Sequence, residues 1–225
     1  MRAAWLILVV AALIAVPAPF AQAETENPAA GAVEVEFSNP SLSPSHWTLT
    51  LRRDGSGHFH SERGKTLAGG SQGMDAGSVD REVELSAKFT DHVFDTAQRH
   101  KWFNQECDSH LKLAFQGWKT LSYKGAEGQG KCTFNYSKDK DIQTLGDALV
   151  AVSETLLEGA RLEMLLQHDR LGLDKETEYL VEAWKDGRVQ QLGAIRGILE
   201  RLAGDEDVMD RVRKRAKVLL AQVGT

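Results

Sequence analysis

The spacing of apolar residues changes once along the chain, near Asp141, and this change constrains the fold more than any other feature. Before it, apolar and polar residues alternate in several short runs, which is typical of half-buried β-strands. After it, apolar residues recur every three or four positions, which is typical of amphipathic helices. The sequence therefore predicts an α+β protein, with a sheet domain over 33–140 and a helical segment over 141–225.

The first part predicts an antiparallel sheet with one inserted helix. Alternating runs occupy residues 33–37, 47–51, 83–85, 111–115, 121–123 and 132–136. Asp54-Gly55 provides the turn of a hairpin after the second run. Thr90 is the predicted N-cap of the helix, which runs to about Lys101. The last three runs predict a three-stranded meander that begins with Leu111–Phe115.

The second part predicts about four helices, of which the first is long. Its apolar residues, from Ile142 to Leu166, keep a spacing of three or four. The segment either covers one face of the sheet or forms a separate bundle, since helical faces of this kind must be buried against something.

The N-terminus has the pattern of a signal peptide. Arg2 precedes twelve uninterrupted apolar residues, Trp5–Val16, and the small-residue motif Ala21-Gln22-Ala23 follows. The apolar run is shorter than the roughly 20 residues that a membrane-spanning helix needs. We predict a signal peptide over 1–23, cleavage after Ala23 and a flexible N-terminus over 24–32. The mature chain, with no predicted membrane span, is expected in the periplasm or outside the cell.

Export gives the two cysteines, Cys107 and Cys132, an oxidising environment in which a matched pair forms a disulfide. The alternative is two reduced, buried thiols. A catalytic Cys107 activated by His92, His100 or His110 is disfavoured, because neither an orienting acid nor an oxyanion loop can be identified.

His58, His60 and Glu62 form the strongest candidate for chemistry in the sequence. Residues at i, i+2 and i+4 share one face of a strand. Two imidazoles and a carboxylate on that face predict a site for zinc or another transition metal. The alternative is a solvent-facing pair of histidines that binds no ligand.

Two further features bear on ligand binding. Trp118 shares a strand face with Thr120 and Ser122 rather than with Leu121 and Tyr123, which predicts that it lies on the outer face of the sheet, where it could anchor a ligand. The alternative is a tryptophan that a neighbouring helix covers. The glycine-rich run Gly125–Cys132 is one residue short of a phosphate-binding loop and has cysteine where the magnesium-binding hydroxyl belongs. We therefore interpret it as a hairpin loop.

Charge and motifs together favour one class of function. The chain has 27 basic and 32 acidic residues, which give a net charge of -5. It therefore lacks the overall positive charge that is typical of a nucleic-acid-binding protein. No complete catalytic constellation is recognisable. We predict an exported, non-enzymatic binding or interaction protein whose partner is a protein or an extracellular ligand. The alternative is a metal-dependent hydrolase that uses His58, His60 and Glu62, and the third interpretation is a structural protein of the cell envelope.

Overall fold

The computed structural model describes residues 31–62 and 78–223. The predicted signal peptide, almost all of the predicted flexible N-terminus and the glycine-rich stretch 64–77 lie outside these ranges. Within them, the chain forms one six-stranded antiparallel sheet and five α-helices, so the predicted α+β class is confirmed.

The helices follow the predicted arrangement, with one inserted in the sheet and four after it. The strands are β1 (Ala32–Ser38), β2 (His46–Arg52), β3 (Ser56–Glu62), β4 (Val79–Glu84), β5 (Trp118–Gly125) and β6 (Gly128–Phe134), in the sheet order β4-β3-β2-β1-β5-β6. The helices are α1 (Ala87–Arg99), α2 (Lys140–His168), α3 (Gly172–Lys185), α4 (Arg196–Gly204) and α5 (Asp210–Leu220), with 3-10 turns at Lys101–Phe103 and Leu192–Ile195.

One face of the sheet is packed and the other is polar. In β1, Val33 and Val35 are buried, whereas Glu34 between them is exposed. Helix α1 and the first half of α2 cover the packed face. Lys119 of β5 is buried there as well, with its ammonium nitrogen 3.3 Å from a carboxylate oxygen of Asp147 on α2.

Helix α2 contributes to two hydrophobic cores. Its first half, from Ile142 to Leu156, packs against the sheet and α1. Its second half, from Leu162 onwards, packs with α3, α4 and α5 in a second cluster. The helical segment therefore covers the sheet and also builds its own core, because one continuous helix reaches both.

Both predicted turns are present. Gly55 adopts a φ of +89°, which favours glycine, and its N–H donates to the Arg52 carbonyl at 3.1 Å in the β2–β3 hairpin. The glycine-rich run forms the β5–β6 hairpin, in which Gly125 pairs with Gly128. A Cβ on Gly128 would lie 2.5 Å from a ring carbon of Trp102, so a larger residue does not fit there.

The predicted start of α1 is wrong by one turn. Ser86, rather than Thr90, is the N-cap, and its hydroxyl accepts a hydrogen bond from the Phe89 N–H at 3.4 Å. Thr90 lies inside the helix, is buried, and its hydroxyl has no hydrogen-bond partner among the described residues. Serine and threonine are both suitable as N-caps, and both also occur inside helices. Residue type alone therefore does not show whether Ser86 or Thr90 caps the helix.

Removal of the Ser86 hydroxyl and removal of the Thr90 hydroxyl should have opposite effects on stability. We expect Ser86→Ala to lower the free energy of unfolding by about 1 kcal/mol, because a helix N–H loses its cap. Thr90→Val should leave stability unchanged or raise it, because it replaces an unpaired buried hydroxyl with a methyl group of similar size. Urea unfolding of the two variants beside the parent chain tests this. A larger loss in Thr90→Val than in Ser86→Ala would contradict the assignment.

The predicted strand at Leu111–Phe115 is absent from the sheet. The chain between the 3-10 turn and β5 has no regular secondary structure, and the meander is reduced to the β5–β6 hairpin. Alternation shows which side chains would share a face but does not supply a neighbouring strand. The backbone also bends at both ends of the run, since His110 has a φ of +54° and Gly117 a φ of +122°.

Candidate functional site

Most of the exposed large apolar side chains in the described part of the chain lie at one end of the sheet. Five of them, with exposed fractions between 36% and 50%, are defined here as the apolar patch: Leu111, Leu113, Phe115, Trp118 and Tyr136. The rings of Phe115 and Trp118 meet edge to face, with centroids 5.8 Å apart. A sixth, Leu42, lies in the β1–β2 loop, which contacts the same segment through a hydrogen bond from the Asn39 side chain to the Gln116 carbonyl at 3.1 Å.

Four of the five patch residues belong to the stretch 110–118, in which every residue from 110 to 116 is exposed. Monomeric proteins seldom expose apolar residues so close together, and such clusters mark interaction surfaces. The prediction that Trp118 faces outward agrees with its 46% exposure. The exposure of Leu111, Leu113 and Phe115 was not predicted, because their alternation indicated a half-buried strand.

Asn135, just after β6, holds this stretch against the sheet. Its side-chain oxygen accepts a hydrogen bond from the Gln116 N–H at 2.8 Å, and its side-chain nitrogen donates to the Ala114 carbonyl at 3.3 Å. Its own backbone N–H donates to the Asp108 carboxylate at 3.1 Å. Ser109 adds a backbone hydrogen bond to the Tyr136 carbonyl at 2.8 Å. Asn135 therefore holds the chain on both sides of the exposed run 110–116, which is called the apolar stretch below: at Asp108 before it, and at Ala114 and Gln116 at its end.

A disulfide supplies the covalent anchor. Cys107 and Cys132 are bonded to each other and both are buried, with Cα atoms 5.6 Å apart. The predicted pairing agrees with this geometry. Cys132 belongs to β6, so the bond attaches the start of the exposed stretch to the last strand of the sheet. The apolar patch is thus presented on a segment with little secondary structure but with strong tethers.

A shallow groove of about 400 Å³ lies beside the patch, lined by Glu106, Asp108, His110, Trp118 and Thr133. Partial burial by itself raises the pKa of Asp108, but hydrogen bonds from the backbone N–H groups of His110 and Asn135 outweigh it and hold that pKa below its ordinary value. The His110 ring lies 3.1 Å from the same carboxylate. Asp108 is therefore ionised at neutral pH and serves mainly to position the chain around it.

His58 and His60 lie together on the polar face of the sheet, as their spacing predicts, but their neighbour is Asp80. Each imidazole has a nitrogen 2.9 Å from one oxygen of that carboxylate. Glu62 instead lies 3.7 Å from a ring nitrogen of His46. Hydrogen bonds from His60 and His58 hold the pKa of Asp80 below its ordinary value.

The described residues contain no group of three or more His, Cys, Asp or Glu side chains placed to hold a metal ion. Zinc or transition-metal binding by His58, His60 and Glu62 stays a prediction. Asp80 could not be identified from the sequence, because the pairing of β3 with β4 brings it opposite His60 across a long connection.

A buried ionisable cluster joins α2 to α3. Glu158 is 1% exposed, and one of its oxygens lies 3.3 Å from a guanidinium nitrogen of Arg161. The same guanidinium nitrogen lies 3.2 Å from a carboxylate oxygen of Glu176. Burial, reinforced by a hydrogen bond with Glu176, raises the pKa of Glu158 well above its ordinary value. This cluster lies in the helical segment and is separate from the apolar patch.

None of the helices in residues 31–62 and 78–223 is both long enough and apolar enough to cross a membrane.

In comparisons with known proteins, no protein-family model matches the chain, and no curated protein matches its sequence.

Proposed function

We propose that the chain is an exported, non-enzymatic interaction protein that binds another polypeptide through the apolar patch. The observation that carries the proposal is the concentration of half-exposed Leu, Phe and Trp side chains on one tethered segment, together with the partly exposed Tyr136 after β6. Contiguous exposed apolar surface is the ordinary mark of a protein interaction site. Aromatic residues, of which the patch has three, are enriched in such sites.

The shape of the surface favours a polypeptide over a small molecule. Small ligands bind in concave pockets that enclose most of their surface. Residues 110–116 are exposed throughout, and the groove next to them is shallow. A protruding apolar segment suits a partner that can fold around it or lie along it.

The tethers of the segment support the same function. The disulfide of Cys107 with Cys132 and the hydrogen bonds of Asn135 restrict the segment before any partner arrives. A surface that is already ordered loses less conformational entropy on binding, which leaves more of the contact energy as affinity. A disulfide also suits an oxidising compartment, in line with the N-terminal pattern of a signal peptide.

We place this function ahead of a metal-dependent hydrolase and of a structural envelope protein. His58 and His60 are hydrogen-bonded to Asp80, and Glu62 faces His46, so the three residues do not converge on one point. A metal-dependent hydrolase would also leave the exposed apolar patch unexplained.

Photocrosslinking in the native host tests the proposal. We expect a benzoylphenylalanine residue in place of Leu113 to form adducts with a polypeptide, because Leu113 lies in the middle of the patch. The matched control is the same substitution at Leu171, which is 78% exposed but lies between α2 and α3. The chain recovered from the exported fraction should begin at Glu24.

Two results would contradict the proposal. The absence of adducts at position 113, or equal adducts at positions 113 and 171, would show that the patch is not a specific interaction surface. A full-length chain retained in the cytoplasm would exclude export.

A further inference from the structure

The exposed run Leu111-Lys112-Leu113-Ala114-Phe115 has a symmetric pattern. Large apolar residues occupy the first, third and fifth positions, so their placement is the same in both directions. All five residues are exposed. No hydrogen bond joins the backbone of Lys112 or of Phe115 to another described residue. This stretch therefore has the side-chain alternation of a strand but no neighbouring strand among the described residues.

Residues 111–115 can pair antiparallel with the same residues of a second copy, because their large apolar side chains then lie opposite one another. With Leu113 opposite its own copy on a two-fold axis, Leu111 lies opposite Phe115 and Lys112 lies opposite Ala114. Apolar side chains then face one another across the pair, and such cross-strand contacts stabilise a sheet. The two lysines are not opposite each other, so no like-charge pair opposes the arrangement. When Leu113 forms a hydrogen-bonded pair with its copy, pairing replaces two local hydrogen bonds, from the Leu113 N–H to the Leu111 carbonyl and from the Leu111 N–H to the Ser109 hydroxyl.

The size of the patch also fits a symmetric dimer. Large side chains present roughly 200 Å² each, so five of them at these exposures leave about 500 Å² of apolar surface per copy. A standard interface buries about 800 Å² on each partner, and roughly 65% of a homodimer interface is apolar. The apolar patch therefore supplies about the apolar area that one half of such an interface requires.

We infer that the apolar patch binds a second copy of this chain, forming a two-fold symmetric dimer in which residues 111–115 of the two copies pair antiparallel. The inference rests on the proposed function, because it names the polypeptide that the patch binds. Two-fold association through one self-complementary surface is the commonest symmetry of soluble oligomers.

Sedimentation of the processed, disulfide-bonded chain between about 1 µM and about 200 µM tests the inference. We expect the mass to double as concentration rises. Leu113→Lys should weaken the dimer by more than about 100-fold, because it places two ammonium groups together on the axis. The matched control, Leu171→Lys, changes an exposed leucine far from the patch and should dimerise like the parent chain.

Hydrogen exchange identifies the surface that pairs. Amides of residues 111–115 should exchange more slowly as the dimer forms, and they should stay fast in Leu113→Lys. A monomeric mass over the whole concentration range would overturn the inference, and so would a Leu113→Lys chain that dimerises normally. If the purified chain is monomeric while position 113 crosslinks to a different protein, the inference fails and the proposed function stands. If position 113 forms no adduct, both fail.

Discussion

Replacing Cys107 and Cys132 together with alanine is expected to lower the free energy of unfolding by about 3 kcal/mol. The disulfide joins residues 25 apart in sequence, and a crosslink over such a loop restricts the unfolded chain far more than the folded one. Alanine is chosen rather than serine, because serine would bury a hydroxyl group at each of these two buried positions. Guanidinium unfolding of the variant and of the oxidised parent chain measures the difference.

The same variant should release the apolar stretch while the sheet stays folded. Asn135 would still bond Gln116 and Ala114, but Cys107 would no longer attach the stretch to β6. We therefore expect faster hydrogen exchange in residues 104–117 and unchanged exchange in β1 and β2. The parent chain treated with reductant is the control, and it should behave like the variant. Equal unfolding midpoints in oxidised and reduced parent chain would contradict a stabilising role for the bond.

The fold class follows from local periodicity, but the limits of the cores do not. The change of spacing near Asp141 marks where strands give way to helices, because alternation and three-four spacing reflect the geometry of each element. It does not mark a boundary between cores, since α2 begins at Lys140 and packs into both hydrophobic clusters. Which helix reaches which core depends on tertiary packing, and that is not encoded in spacing.

The candidate site was predictable only in part, for a similar reason. The outward direction of Trp118 follows from alternation within β5, and the pairing of Cys107 with Cys132 follows from their number and compartment. The exposure of Leu111 to Phe115 depends on the absence of a neighbouring strand in the sheet, and alternation is the same with or without one. Asp80 reaches His58 and His60 through the register of two strands, which local sequence does not specify.

Glu158→Gln is expected to make the protein more stable than the parent chain at pH 8, by on the order of 1 to 3 kcal/mol. Burial raises the pKa of Glu158 to about 9, and a hydrogen bond with Glu176 adds to this. In the unfolded chain, the carboxyl group has the ordinary pKa of about 4.3. Between these two values, the folded state holds a proton that the unfolded state has released.

The sign of the pH dependence follows from this difference in bound protons. A group that binds its proton more tightly in the folded state makes its full contribution at pH below its unfolded pKa. That contribution is lost as the pH rises towards about 9, by at most about 1.4 kcal/mol per pH unit. Glutamine is neutral at every pH, so the variant should not carry this loss. Urea unfolding of both chains from about pH 5 to about pH 8 measures the two slopes.

The difference between the two slopes isolates Glu158 from other groups. All other titratable groups are common to both chains, so their contributions to the two slopes cancel. Asp80 and Asp174 have lowered pKa values, and carboxylates of that kind lose their contribution only in acid, as the pH falls. The matched control is Asp210→Asn on α5, which removes a carboxylate whose pKa is lowered by a hydrogen bond from Lys214. That carboxylate loses its contribution only in acid, so the variant should keep the parent slope. If Glu158→Gln also keeps that slope, the buried carboxyl group is not protonated in the folded protein, and its ion pair with Arg161 holds it in the charged form.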